Sequence, residues 1–163
     1  VFSGSILSDI LDQVEKGKTT SEDVKKLLNL LSKIPDLEKD NTDRNRTSPF
    51  AFTGNKFEFR ACGSDQSIGF PLTILNGAVA SVLEEANHKI EALIGSGHTI
   101  DQALLDICHL YTKESWNVIF NGDGYSDDWI EEAQKRGLPN LKTTADSLSV
   151  LIDQKETQFL TIH

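Results

Sequence analysis

Lys56, Glu58 and Arg60 alternate along the stretch Lys-Phe-Glu-Phe-Arg. With a side-chain period of two, a strand here sets these three on one side and Phe57, Phe59 and Ala61 on the other. The polar stretch just before supplies Arg44 and Arg46, so several cations converge on one carboxylate. Hard divalent ions take carboxylate oxygens, and guanidinium forks match the oxygens of phosphates and carboxylates. The set therefore suits phosphoryl chemistry, while the same spacing also fits a solvated face of salt-linked neighbours.

Other chemistry-bearing residues carry less. Glu84 and His88 stand at i, i+4 on a helical pattern, but two ligands without a third read as a surface pair and not as a metal site. Asn121-Gly-Asp-Gly-Tyr-Ser126 resembles the start of a calcium loop without its closing bidentate glutamate, so a turn followed by a helix cap is expected. Trp116 and Trp129 read as packing residues. Cys62 and Cys108 lie in no Cys-x-x-Cys or Cys/His spacing, which predicts reduced, packed thiols.

The elements that must hold the charged strand follow from periodicity. Ile6, Ile10, Leu11 and Val14 predict a helix over 5–16, and Thr20 with Asp23 opens a second whose stripe Val24, Leu27, Leu28, Leu31 and Ile34 stops at Pro35. Together they predict a helical hairpin over 5–34. Residues 36–48 are polar, and Thr53-Gly54-Asn55 separates two short alternating runs, so 36–62 is expected to be a loop and a β-hairpin. Ile68, Leu72, Leu75, Val79, Val82, Ala86, Ile90 and Leu93 predict one long amphipathic helix over 68–94, about 40 Å at 1.5 Å per residue. Thr99 with Gln102, Ser126 before Asp127 and Asp128, and Thr143 with Asp146 read as starts of further helices in a helical C-terminal part, 99–153. Val118-Ile119-Phe120 reads as a short strand. The class is α+β, helix-rich, with no internal repeat.

Composition narrows function. The chain has 163 residues, 38% hydrophobic and 25% charged, which is globular and not disordered. A net charge of -9 offers no basic field, so nucleic acid is not expected as a partner. No apolar run approaches the roughly 20 residues of a membrane span, so no membrane partner is expected either, and the cytoplasm is the expected location. The absence of Met, with Val1 entering directly into a pattern, predicts an excised piece of something longer.

Residues 41–60 closely resemble the late catalytic segment of glutamine synthetases, specifically the large type III form. The resemblance continues through Pro71 and the long helix, returns in Tyr111-Thr-Lys-Glu-Ser-Trp-Asn-Val-Ile-Phe-Asn-Gly-Asp-Gly-Tyr125, and runs on through Lys135-Arg-Gly-Leu-Pro-Asn-Leu-Lys142. It implies that residues 1–163 are part of a catalytic domain. The implied enzyme phosphorylates glutamate on its side chain with ATP, lets ammonia displace the phosphate, needs Mg2+ or Mn2+, and forms ringed homo-oligomers. By the same resemblance Glu58 is a metal ligand, Lys56 touches ATP phosphates, Arg60 binds glutamate or the transferring phosphoryl group, and Arg46 contacts phosphate from the preceding loop. One departure stands out: where commoner synthetases carry an arginine five residues after the Arg46 equivalent, this chain has Ala51. The family's other metal carboxylates do not occur in this stretch, so the isolated chain is expected to be inactive. Two rival readings are a non-catalytic helical self-association scaffold and a binding module for anionic metabolites.

Overall fold

The computed structural model describes residues 1–17, 48–53, 56–153, 155 and 157–160. The expected second helix of the helical hairpin, the loop that carries Arg44 and Arg46, and the centre of the Thr53-Gly54-Asn55 turn lie outside the described residues. Five helices and one pair of strands are described: α1 (Gly4–Glu15), β1 (Phe50–Phe52), β2 (Phe57–Phe59), α2 (Gly69–Gly95), α3 (Ile100–Ser115), α4 (Asp127–Lys135) and α5 (Thr144–Ile152). Single 3-10 turns occupy Trp116–Val118 and Gln158–Leu160. The fold is helix-rich with one small antiparallel sheet.

Local signals account for the helix starts. At α3 the Thr99 hydroxyl accepts from the Gln102 backbone N–H at 3.3 Å while the Gln102 side chain accepts from Thr99 N–H at 3.1 Å, so two end donors are satisfied reciprocally. Ser126 accepts from Trp129 N–H at 3.3 Å to start α4, whose first turn holds Asp127 and Asp128 and whose last holds Lys135, each complementing the helix dipole. Thr143 does the same for α5 through Asp146 N–H at 3.1 Å. The stretch Asn121–Ser126 is a turn and cap: Asp123 accepts from Tyr125 N–H at 2.9 Å and the Ser126 hydroxyl donates to Asp123 O at 2.7 Å.

Packing centres on α3, which contacts α1 on one side and α2 on another, while the Gln158–Leu160 turn also packs on α2. His109 of α3 donates from Nδ1 to Val14 O at 2.7 Å, tying the end of α1 down, and Lys89 of α2 sits 4.9 Å from the Tyr111 ring centre. Among the described residues the buried apolar side chains are few and mostly small, namely Val14, Ala51, Ala103, Ile107 and Ala133.

The long helix departs from the simple stripe. It has no buried residue; Ile74, Leu75, Ala78, Ala86, Ile90 and Leu93 are half-buried, while Leu72, Val79 and Val82 from the expected stripe lie exposed together with Phe70 and Leu83. Apolar residues surround the helix as far as Leu83, and charges begin only at Glu84, so its first half resembles a helix meant to be covered on several sides.

Both thiols are exposed, which corrects the expectation that they are packed. Partial desolvation pushes the Cys108 thiol up from its ordinary value. A raised pKa leaves less thiolate at pH 8, and the gain in intrinsic nucleophilicity recovers only about half of that loss on a logarithmic scale. Iodoacetamide at pH 8 should therefore label Cys108 more slowly than Cys62, which stands in an open loop. Equal rates by peptide mass spectrometry would remove the desolvation argument.

Candidate active site

The register of the hairpin decides which side chains share a face. Phe50 pairs with Phe59, Ala51 with Glu58, and Phe52 with Phe57. The four phenylalanines therefore form one face and Ala51 with Glu58 the other. On the aromatic face Phe57 stacks on Phe50 at 5.2 Å between ring centres and tilts against Phe52 at 5.3 Å. Phe57 and Phe59 still remain 48% and 45% exposed, so the described residues cover this face only in part.

On the charged side, Arg60 donates to Glu58 Oε2 from Nη2 at 3.2 Å and from Nε at 3.4 Å, and Lys56 Nζ stands 3.9 Å from Glu58 Oε1. An ion pair this open to water contributes only about 0.2–1 kcal/mol to stability. The arrangement does little for folding and leaves a carboxylate in a cationic setting. As a donor set it fits one hard-oxygen ligand to a divalent ion, not a complete metal site: among the described residues no three His, Cys, Asp or Glu side chains are grouped to hold one. Glu84 and His88 are both exposed on α2 and belong to no such group.

The sheet extends beyond its two strands. Phe2 N–H donates to Phe50 O at 2.9 Å and Phe52 N–H to Phe2 O at 2.9 Å, so the chain start lies parallel to β1 and bridges Ala51. On its far side, Val1 N donates to Val118 O at 2.8 Å and Phe120 N–H to Val1 O at 2.9 Å. Residues 119–120, just after the 3-10 turn that Val118 closes, thus lie beside 1–2, which lie beside β1 and β2. Ala51 sits between Phe2 and Glu58 with 0% exposure, so a larger side chain there would have to displace its neighbours.

The outer segment is itself anchored. Arg136 donates to Ile119 O at 2.7 Å and Asn117 O at 3.2 Å, pairs with Glu132 at 2.6 Å, and lies 5.8 Å and 5.7 Å from the rings of Phe120 and Trp129, which stack at 4.5 Å. Gly122 fits under this stack only because it has no side chain: a Cβ would stand 2.6 Å from Phe120 Cζ. Sequence reasoning assigned no part to Phe2, Ser3 or the Asn121 side chain, since no periodicity links residues so far apart in the chain. Val118-Ile119-Phe120, expected as a short strand, is not one: Val118 closes a 3-10 turn, and the chain is extended only from Ile119, its C-cap. Arg44 and Arg46 lie outside the described residues.

A family model described as the glutamine synthetase C-terminal domain matches residues 103–163. Over 164 residues the chain is 39% identical to a glutamine synthetase of Bacteroides fragilis (strain YCH46), covering 98% of this chain and 22% of that protein. It is 35% identical to a glutamine synthetase of Butyrivibrio fibrisolvens, covering 100% of the chain and 23% of the relative. The chain belongs to the glutamine synthetase family. Within the family it is similar to the type III branch, being 47% identical over 125 residues to the Type-3 glutamine synthetase of Dictyostelium discoideum, 75% of this chain and 16% of that protein. The chain thus spans between about a sixth and a quarter of the length of these curated relatives. No solved structure gives a significant match.

Proposed function

We propose that the chain is the part of a type III glutamine synthetase that brings a metal-binding glutamate and phosphate-facing cations into the catalytic centre, and that the full-length protein joins glutamate and ammonia at the expense of ATP. The observation that carries this reading is Glu58 held between Lys56 and Arg60 on one side of an edge strand, within a chain that aligns along its length with glutamine synthetases. In this reading the glutamate side-chain carboxylate attacks the terminal phosphorus of ATP, giving γ-glutamyl phosphate and ADP. Ammonia then attacks the acyl carbon and phosphate leaves. Mg2+ or Mn2+ would supply charge neutralisation on the phosphate oxygens, with Glu58 as one of its ligands.

This chain's own residues bind and orient. Lys56 offers a mobile point charge for ATP phosphates, and Arg60 offers a planar fork for a carboxylate or the transferring phosphoryl group. Arg60 is the more enclosed of the two, with 22% of its side chain exposed against 66% for Lys56, as a positioning group should be. Arg46, which lies outside the described residues, is assigned by the resemblance a second guanidinium contact to phosphate. The reading further takes the enzyme to be a homo-oligomer of the cytoplasm. No described helix is long and apolar enough to cross a membrane.

The test is glutamine formation by the full-length protein from glutamate, ATP and ammonia, compared with its Arg60→Lys and Arg46→Lys variants. Lysine keeps the charge and loses the fork, so kcat at saturating ATP should fall by about tenfold or more in each. An inactive wild-type protein would end the reading, and full turnover by both variants would make these arginines structural.

A further inference from the structure

We propose that Asn121 is a positioning residue for Glu58, acting through the chain start and β1; the proposal rests on the reading of Glu58 as a metal ligand. The Asn121 side chain makes four contacts across more than a hundred residues of sequence. Its Oδ1 accepts from Ser3 N–H at 3.0 Å, Gly4 N–H at 3.2 Å and the Ser3 hydroxyl at 3.2 Å, while its Nδ2 donates to Ser8 Oγ at 2.8 Å. Two backbone donors fix which end of the amide is oxygen. Ser3 has only 4% exposure, so its groups have no ready substitute in water.

The position of these contacts gives them their reach. Ser3 follows Phe2, whose backbone holds Phe50 and Phe52 on either side of Ala51, and Ala51 is the register partner of Glu58. Gly4, at φ +74, lets the chain turn from that extended segment into α1 while its N–H stays on Asn121. Behind Asn121, the carbonyls of residues 117 and 119 are held by Arg136 and Phe120 N–H is held by Val1 O. Asn121 therefore joins a braced segment to the one strand neighbour that β1 has beyond β2 among the described residues. A ligand on a short hairpin keeps its place only if the hairpin is prevented from sliding or tilting.

The test uses the full-length enzyme and reads Mn2+ binding by electron paramagnetic resonance together with kcat and the metal concentration giving half-maximal activity. Asn121→Ala removes the acceptor and should weaken Mn2+ binding by about tenfold, the low end for loss of a supporting partner. Asn121→Asp keeps an oxygen acceptor for Ser3 and Gly4 N–H at the start of α1, and should bring affinity back to within about threefold of wild type. Ser8→Ala, which removes the Nδ2 partner and the hydroxyl that meets Ser3 Oγ at 2.7 Å, covers the case in which Asn121→Ala does not fold, and should shift affinity in the same direction by about two- to threefold. Wild-type metal binding in a folded Asn121→Ala protein, or in Ser8→Ala when Asn121→Ala does not fold, overturns the proposal, as does an Asp variant no better than Ala. A parallel Glu58→Gln variant separates the two claims. If it loses Mn2+ while Asn121→Ala keeps it, positioning alone fails; if Glu58→Gln itself binds Mn2+ as wild type does, the ligand reading fails and this proposal with it.

Discussion

Full-length enzyme carrying Glu58→Ala should fold and assemble as wild type does and make glutamine at least about 10²–10³-fold more slowly at saturating substrates. Folding survives because the residue has no part in the core: its side chain is 40% exposed and its ion pairs are open to water. Loss of these pairs shifts stability by about 1 kcal/mol or less. Activity does not survive, because the carboxylate is the one hard anionic donor between Lys56 and Arg60, and its loss leaves two cations with nothing to organise. Circular dichroism and sizing check the first half, and a glutamine assay checks the second. Near-native turnover by a folded variant would remove Glu58 from the chemistry.

The isolated 163-residue chain should show no glutamine synthetase turnover and no Mg-ATP affinity tighter than millimolar. A bound triphosphate with its metals needs several carboxylates and cations held in a cleft that excludes water. The described residues offer one carboxylate in such a setting, and each of its contacts is screened by solvent. The apolar surfaces point the same way. Phe57, Phe59, Phe70, Val79 and Leu83 are all exposed, so the chain should self-associate at micromolar concentration, which light scattering reads. Calorimetric titration showing micromolar Mg-ATP binding, or measurable γ-glutamyl hydroxamate formation by the isolated chain, would mean that the site is far more nearly complete than this.

What the sequence made legible divides by the range of the interaction. Caps are local: Thr99 with Gln102, Ser126 and Thr143 each act within three residues, so their spacing alone predicts the helix starts seen. The hairpin is nearly as local, because alternation around a turn fixes which of Phe57, Glu58 and Phe59 share a side. The burial of α2 was not legible, since period alone does not say how many sides of a helix will be covered, and Val79 and Val82 on the expected stripe are among its exposed apolar residues. The bridge of Phe2 to Ala51 and the Asn121 contacts to Ser3 and Gly4 were not legible either. They join chain segments some fifty to a hundred and twenty residues apart, and no spacing rule reaches that far. Alternation groups Lys56, Glu58 and Arg60 on one side, and the resemblance supplies their roles.

The central claim is that Glu58 holds a divalent ion, and the most direct measurement is a Mn2+ titration of the full-length enzyme and its Glu58→Ala variant, followed by electron paramagnetic resonance without substrates. The variant should lose one ion from the tightly bound class, or hold it about a hundredfold more weakly, while its remaining sites are unchanged. The same number of ions bound with the same affinity in both proteins would contradict it.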